Sequence, residues 1–568
     1  MQTKKERPLP NPEPIAVGLD VGGTHTDVAA IRGREIIAHV KTVTDPEHLV
    51  DSVTDALERI QREINADIDS LNLSTTLSTN ALVEGRAAPV GVLVSAGPGI
   101  APEVNRYGDY YHVLDGFIDH RGTEVRPLNT DGLDALLSDW AAEEIQHFAV
   151  IGKFSTRNPE HENQMFDAVQ PYSNFTTRGH MVSGYLNFPR RIRTAAMNSS
   201  VWPHYQTFYS AVTDTLKCLN IQAHVNVLKA DGGTLPFPAS RDVPVETVHS
   251  GPAASVMGAL ALRPMQQDVI CMDMGGTTTD VALFARGAPV LERSGIRMAG
   301  YDTLVRAIQS HSVGIGGDSA LQIKNGSLQV GPQRQGPCLA AGGPEPALMD
   351  ALNVLGYAEF GDMQKSKRGI EHLTESLDCS VMEAASSAVH AAADILVDAV
   401  TEMLREINSK PVYTLYEMFH PDPIKPTQIL LMGGPADAFQ KSLIDRFSLP
   451  VDVLPWSGVA NAVGAALCRV TLNVDLFADT VKGIRSVAQL NVRDSVSSRY
   501  NLRQAKKDAR RYLLQYAQRM GASPDQARID VHQAEEFNQV AGASVIGRTL
   551  RVKSQIRPGL TGSLKGLS

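Results

Sequence analysis

Two stretches of the chain carry the same eight residue types at the same spacing. Asp20-Val21-Gly22-Gly23-Thr24-His25-Thr26-Asp27-Val28-Ala29 recurs as Asp273-Met274-Gly275-Gly276-Thr277-Thr278-Thr279-Asp280-Val281-Ala282. Paired glycines let the backbone turn sharply and bring N–H groups against an anion, with no Cβ in the way. Threonine hydroxyls add donors. Gly22, Gly23, Thr24, His25 and Thr26 in one copy, and Gly275, Gly276, Thr277 and Thr278 in the other, are therefore candidates for holding phosphate. Asp20 and Asp273 are barred from phosphate by their own charge, but they can hold a Mg²⁺ ion through its waters, and the metal can neutralise the phosphates. Asp27 and Asp280 are candidates for positioning an attacking group. One D-x-G-G-T alone reads equally well as a hairpin turn with a capping aspartate. Two matched copies point to an internal duplication whose halves grip a nucleotide from both sides.

The elements around the copies must hold them in place. Each copy follows an apolar run and leads into another, Ile15–Asp20 into Asp27–Ile31 and Val269–Asp273 into the run after Asp280, which predicts strand, tight turn, strand. Helical spacing over Pro46–Ile64, Leu133–Glu144, Glu160–Val169, Ser199–Leu219, Ser250–Leu262, Val381–Ile407 and Asn461–Val470 alternates with strand runs at Val90–Val94, Phe148–Ile151 and Ile429–Met432. That order predicts an α/β protein. Gly331–Gly343 reads as a loop. Tyr500–Met520 reads as a charged helix and Ser544–Ile556 as an exposed strand. The expected division is a disordered lead-in over 1–14, domains over 15–198 and 199–470, and a C-terminal α+β region over 471–568.

A chain of 568 residues with 43% hydrophobic and 20% charged residues has apolar material for several cores. The net charge of −9 and the absence of a long basic run argue against nucleic acid and anionic membrane as partners. Five scattered cysteines without a C-x-x-C pair argue against a disulfide scaffold or a structural zinc site. The polar, proline-rich start has no signal-peptide core, and no run reaches the ~20 apolar residues that span a bilayer. A reducing cytoplasm is the expected compartment.

Other residues carry weaker signals. His249 precedes Ser250-Gly251-Pro252, where a helix N-terminus favours anions, but a turn histidine is the plainer reading. His311 either faces a cleft or sits at the surface. Asp318, in a glycine loop, is either a second-layer magnesium residue or a turn aspartate. Cys338 has the chemistry of a nucleophile but no neighbouring base in sequence, which favours a loop cysteine. His161 and Glu162 follow the helix cap Asn158 and read as structural.

With these segments in view, the chain resembles the hydantoinase A/5-oxoprolinase family of the actin–sugar kinase–heat-shock ATPase fold group, from about Ile15 to Val470. After the first copy come Ser74-Thr75-Thr76-Leu77-Ser78-Thr79-Asn80-Ala81-Leu82 and Phe154-Ser155-Thr156-Arg157-Asn158-Pro159-Glu160-His161-Glu162. Then follow Ser250-Gly251-Pro252-Ala253-Ala254, the second copy, Val313-Gly314-Ile315-Gly316-Gly317-Asp318-Ser319, Gly336-Pro337-Cys338 and Gly433-Gly434-Pro435-Ala436. The resemblance implies two actin-like (ribonuclease H-like) domains around a nucleotide cleft. It adds Gly316 and Gly317 to the site and places Gly433 and Gly434 near the adenosine of ATP. It implies an ATP-dependent hydrolase that phosphorylates the carbonyl of a lactam or hydantoin, or a related component that carboxylates a ketone. A B-type subunit completes the reaction, and the protein is expected to be oligomeric. Departures are Leu73-Ser74 where the family has His-Gly before Thr-Thr, and His25 where Phe is usual. A nucleotide-dependent switch acting on a partner protein and a small-molecule kinase stay open as alternatives.

Overall fold

The computed structural model describes residues 13–23, 25–45, 48–292, 294–409, 423–520 and 529–565. Thr24 and most of the expected lead-in lie outside the described residues.

Two mixed sheets repeat one plan. In the first, Ile15–Val21 pairs antiparallel with His25–Arg32, which pairs antiparallel with Glu35–Val43. On the other side of Ile15–Val21, Ser70–Thr75 and then His224–Leu228 run parallel, and Thr234–Pro236 closes the edge. In the second, Val269–Met274 pairs antiparallel with Thr279–Ala285, and Ser310–Val313 continues that side. Gln428–Met432 and Val451–Val453 run parallel on the other. Both sheets thus have the ribonuclease H-like order three–two–one–four–five, as the duplicated motif requires. The leading strand of each is a near-continuous apolar run because it is covered on both faces.

Two helices of small residues, Ser250–Leu262 and Ala460–Leu467, lie between the sheets. Ala29, Ile31 and Leu228 from the first and Cys271, Ala282, Leu430 and Met432 from the second close on them. The outer face of the first sheet is covered by Leu49–Ile64, whose Val53, Ala56, Leu57 and Ile60 share one side. The long helix Val381–Asn408 covers the outer face of the second, presenting Ala385, Val389, Ala392, Leu396 and Met403. A four-stranded parallel sheet, centred on Gly91–Ser95 and His147–Gly152, is inserted in the first unit.

The helix read from Ser199 begins instead at Phe188 and runs to Cys218, across the expected boundary at 198/199. Asn187 caps it by accepting from the Arg190 N–H. Ser199 is an interior residue whose hydroxyl donates to the Phe148 carbonyl at 2.6 Å. The strands His224–Leu228 and Thr234–Pro236 still belong to the first sheet, so that sheet draws on residues well past 198.

At the C-terminus, Asn473–Asp479, Ile484–Val487, Val492–Ser495, Ile529–Ala541 and Ser544–Ile556 form a five-stranded antiparallel sheet. Helix Leu502–Arg519 packs Ala505, Ala509 and Leu513 on Val474, Leu476, Leu550 and Val552 of one face. Among the described residues no helix is long and apolar enough to cross a membrane.

Candidate functional site

The repeated motifs are hairpins closed in the same way. The Gly22 N–H donates to the His25 carbonyl at 3.0 Å, and the Gly275 N–H donates to the Thr278 carbonyl at 2.8 Å. Asp20 lies directly opposite Asp27, and Asp273 opposite Asp280. Period-two alternation therefore puts each aspartate pair on one side of its hairpin.

The four carboxylates feel one another across the two hairpins. Burial, with Asp27 and Asp273 nearby, pushes Asp20 up to about 6. Burial, Asp273 and Asp20 push Asp280 up to about 7. Burial also raises Asp273, against a hydrogen bond from Ser255. Like charges brought this close out of water favour the protonated form unless a cation joins them.

Two side chains absent from the sequence reading hold the first pair. Asn461, in the first turn of the inter-sheet helix, donates to Asp20 at 2.6 Å and to Asp27 at 3.1 Å. Lys41, opposite Asp27 in the sheet, donates to it at 2.6 Å and to the Gly458 carbonyl at 3.2 Å. Asp20 keeps one buried oxygen, Oδ1, with no protein partner. That orphaned acceptor among raised carboxylates suits a hydrated Mg²⁺, whose waters would donate to it. Among the described residues no three of His, Cys, Asp or Glu converge to ligate a metal directly.

The glycine loop rests on the second hairpin backbone to backbone. The Gly317 N–H donates to the Gly275 carbonyl at 3.0 Å and the Asp318 N–H to the Gly276 carbonyl at 2.6 Å. A Cβ on Gly316 would collide with the Gly276 backbone at 2.6 Å, so glycine is required there. Asp318 accepts from the Cys338 N–H at 3.0 Å and pairs with Arg334 at 3.2 Å. His25 of the first hairpin feels both Asp318 and Arg334, while burial and Lys41 push its imidazole down. Arg334 was not singled out from the sequence.

Gly433 sits at φ +99, where a Cβ would meet the Asp273 carboxylate at 2.8 Å, whereas a Cβ on Gly434 would meet nothing within 4 Å. The structure thus brings together Gly22, Gly23, His25, Asp20, Asp27, Gly275, Gly276, Thr277, Thr278, Asp273, Asp280, Gly316, Gly317, Gly433 and Gly434. Thr26, a candidate phosphate donor in the sequence, is instead fully buried on the other face of its strand, its hydroxyl bonded to that of Thr44 at 2.8 Å.

The remaining candidates stand elsewhere or serve the frame. His249 is half-buried at φ +63, its N–H donates to the Thr79 hydroxyl at 2.9 Å, and burial pushes its imidazole down. Ser250 next to it donates to the Thr75 carbonyl at 2.8 Å, which pins the Leu73-Ser74-Thr75 strand end. His311 is 41% exposed with Nε2 3.7 Å from Glu406 at the surface. Cys338 is buried, and burial pushes its thiol up to about 11, which leaves no thiolate nucleophile.

Glu162 is fully buried and accepts from the Gly152 N–H at 2.7 Å and from the N–H and ring of His180. Burial works against its charge, yet His180 and Arg191 hold its carboxyl below the ordinary range. Glu162→Gln is expected to lower unfolding free energy by about 3 kcal/mol at neutral pH, because a buried pair loses one partner. A depressed carboxyl contributes stability that is present above its ordinary value of 4.5 and is lost as pH falls through its lower folded value. The gap between wild type and variant in urea titrations should therefore shrink below that value. An equal gap at all pH values would refute the assignment.

Comparison with known proteins agrees with this architecture. The family model for the hydantoinase/oxoprolinase N-terminal region matches residues 16–172, and the hydantoinase/oxoprolinase model matches residues 191–474. The caprolactamase subunit alpha of Pseudomonas jessenii is 29% identical over 383 residues, covering 61% of this chain and 55% of that protein. The acetophenone carboxylase gamma subunit of Aromatoleum aromaticum is 26% identical over 402 residues, covering 60% and 53%. The chain thus spans about half the length of these curated relatives. A nucleotide-free acetone carboxylase structure shares the fold with a TM-score of 0.72 at 17% identity, covering 96% of this chain and 87% of that one. The paired hairpins and two family models that follow one another along residues 16–172 and 191–474 lead to one assignment: this chain belongs to the hydantoinase/oxoprolinase family.

Proposed function

We propose that this chain is the nucleotide-binding component of an ATP-dependent enzyme that activates a cyclic amide, a lactam or hydantoin, by phosphorylating its carbonyl oxygen. The observation that carries the reading is the pair of facing glycine hairpins with four carboxylates between them, of which Asp20, Asp273 and Asp280 are raised by burial and by one another's charge. In this reading the backbone N–H groups of Gly23 and Gly276 hold phosphate oxygens, with Thr24, Thr277 and Thr278 adding donors, while the Gly22 and Gly275 N–H groups close the turns. His25, Gly316 and Gly317 border the same anion, and Gly433 and Gly434 leave room for the adenosine. Mg²⁺ held through water by Asp20 and Asp273 would neutralise phosphate charge. Asp27 or Asp280 positions the attacking oxygen. That oxygen takes the terminal phosphoryl group as ADP leaves, which makes an otherwise inert amide carbon electrophilic. Closure of the two units would exclude water. Addition of water to the activated carbon falls to a B-type partner, in keeping with relatives that are named as subunits.

A second reading, phosphorylation during ATP-dependent carboxylation of a ketone, is favoured by the acetophenone carboxylase relative and the acetone carboxylase fold match. One assay separates the two. Phosphate release from ATP should rise with lactams or hydantoins, and only when a B-type protein is present. Stimulation by ketones alone would transfer the assignment to carboxylation. Stimulation by a partner protein without any small molecule would replace both with a switch.

A further inference from the structure

A second cavity, of about 420 Å³, lies where the C-terminal sheet meets two loops of the first unit, and no hairpin residue lines it. Its wall is set by strand register. Asp475 pairs with Lys553 and Phe477 with Arg551 across neighbouring strands, while the alternate residues Leu476 and Val552 point into the core beneath helix Leu502–Arg519. Alternation therefore delivers Asp475, Phe477, Arg551 and Lys553 to the same open face. From the opposite side come Arg157, next to Asn158-Pro159, and Tyr185.

Three cations converge here, and each is held by an aromatic ring. The Arg157 guanidinium lies 4.4 Å from the Phe477 ring centre, the Lys553 ammonium 3.3 Å from that of Tyr185, and Arg551 5.9 Å from that of Phe537. Arg157 also donates to the His120 carbonyl. Among the described residues no carboxylate forms an ion pair with any of the three. The nearby carboxylates already have neutral donors. Asp475 accepts from Gln489 at 2.6 Å, and Glu535, opposite Arg551 in the sheet, accepts from Gln533 at 2.7 Å. Asp119 and Asp479 act on Arg157 only from a distance, while burial and the charge of Arg551 push Arg157 down to about 10. Ring faces orient cations at about 0.5–2 kcal/mol each without cancelling their charge. A buried cation beside a second cation is costly until an anion joins it.

We propose that this cavity binds a small organic anion, a carboxylate or a phosphate monoester, with its charge among Arg157, Arg551 and Lys553. Its volume falls within the ~300–1,000 Å³ of small-molecule sites. Both chemistries offer oxygens that guanidinium and ammonium donors can share. The site is independent of the proposed ATP reaction and is read by binding alone.

Calorimetric titration of the full chain with benzoate, phenyl phosphate and neutral benzamide tests it. Saturable binding of benzoate or phenyl phosphate, without binding of benzamide, is expected, and the preferred anion identifies the source chemistry. Lys553→Gln and Arg551→Gln should each weaken binding about tenfold or more, and Lys553→Arg should restore it. Both substitutions fall on half-buried positions of the sheet face, and the melting curve of each variant reports whether it folds. Absence of saturable heat with either anion overturns the proposal. So does wild-type affinity in both glutamine variants.

Discussion

Asp273→Asn is expected to lower ATP turnover by about two to three orders of magnitude while leaving the fold as stable as before or more so. Both halves of that expectation come from one environment. Asp273 stands at the end of the Val269–Met274 strand with Ser255 donating to it, beside Gly433 and within reach of the charges on Asp20, Asp27 and Asp280. Its carboxyl is raised by burial, so its charged form is held against an unfavourable field. Removing the charge relieves that field and should keep or raise the melting temperature. Under the proposed function the same change removes a group that organises the metal and phosphate. Sites of this kind trade stability for activity. Phosphate release and nucleotide binding, measured beside a thermal melt, decide the matter. Full retention of binding and turnover would sink the metal assignment, and a drop in both melting temperature and activity would mean that the fold had been damaged instead.

Gly18→Ala is expected to destabilise the protein by about 3 kcal/mol and to reduce turnover with it. Gly18 sits mid-strand in Ile15–Val21, and a methyl there would run into the Ala462 carbonyl and the Ala466 N–H of the inter-sheet helix. That helix cannot retreat. Gly464 lies against the Ala254 carbonyl of the companion helix, and Gly258 of that helix lies against Ala460. Its ends are tied to the first sheet, through Asn461 to Asp20 and Asp27 at the start and through Asn72 at the finish. Asn72 donates to the Ala465, Ala466 and Cys468 carbonyls at 2.8, 3.3 and 3.1 Å, satisfying a helix end. Wedging Gly18 therefore pries Asn461 from both carboxylates. Gly434→Ala, where a methyl meets nothing within 4 Å, is the matched control and should leave the urea midpoint unchanged. Equal midpoints for Gly18→Ala and wild type would show that strand and helix can part freely.

The hairpins were legible because their chemistry is local and stated twice. Asp20 and Asp27 are joined by a tight turn, so strand, turn and facing carboxylates can be read from a few residues. The α/β order and the C-terminal strand Ser544–Ile556 were legible from periodicity for the same reason, whereas its partner Ile529–Ala541 was not. Asn461 was not, because its partners lie 441 and 434 residues away and its own surroundings read only as a small-residue helix. Lys41 was not either, because a register shift between Ala30 and Ile31 puts it opposite Asp27, where plain counting from the Arg32–Glu35 turn would put Val40. The start of helix Phe188–Cys218 reads too late from the sequence, at Ser199, which instead reaches the Phe148 carbonyl from the helix interior. Arg334 lies in a glycine- and proline-rich loop with no periodicity, and only the fold brings it to Asp318.

The inter-sheet helix also sets a timetable for the ribosome. The first sheet is completed by Thr234–Pro236, yet the helix that covers Gly18 and satisfies Asn72 begins only at Ala460. At roughly 5–20 residues per second, that interval is on the order of ten to forty-five seconds of synthesis. During it the nascent chain carries a finished sheet with an unroofed strip along its central strand, next to a polar asparagine that lacks its acceptors. The final compaction of this half therefore waits on residues made far downstream, and a chaperone that shelters exposed sheet faces would act on it in that window.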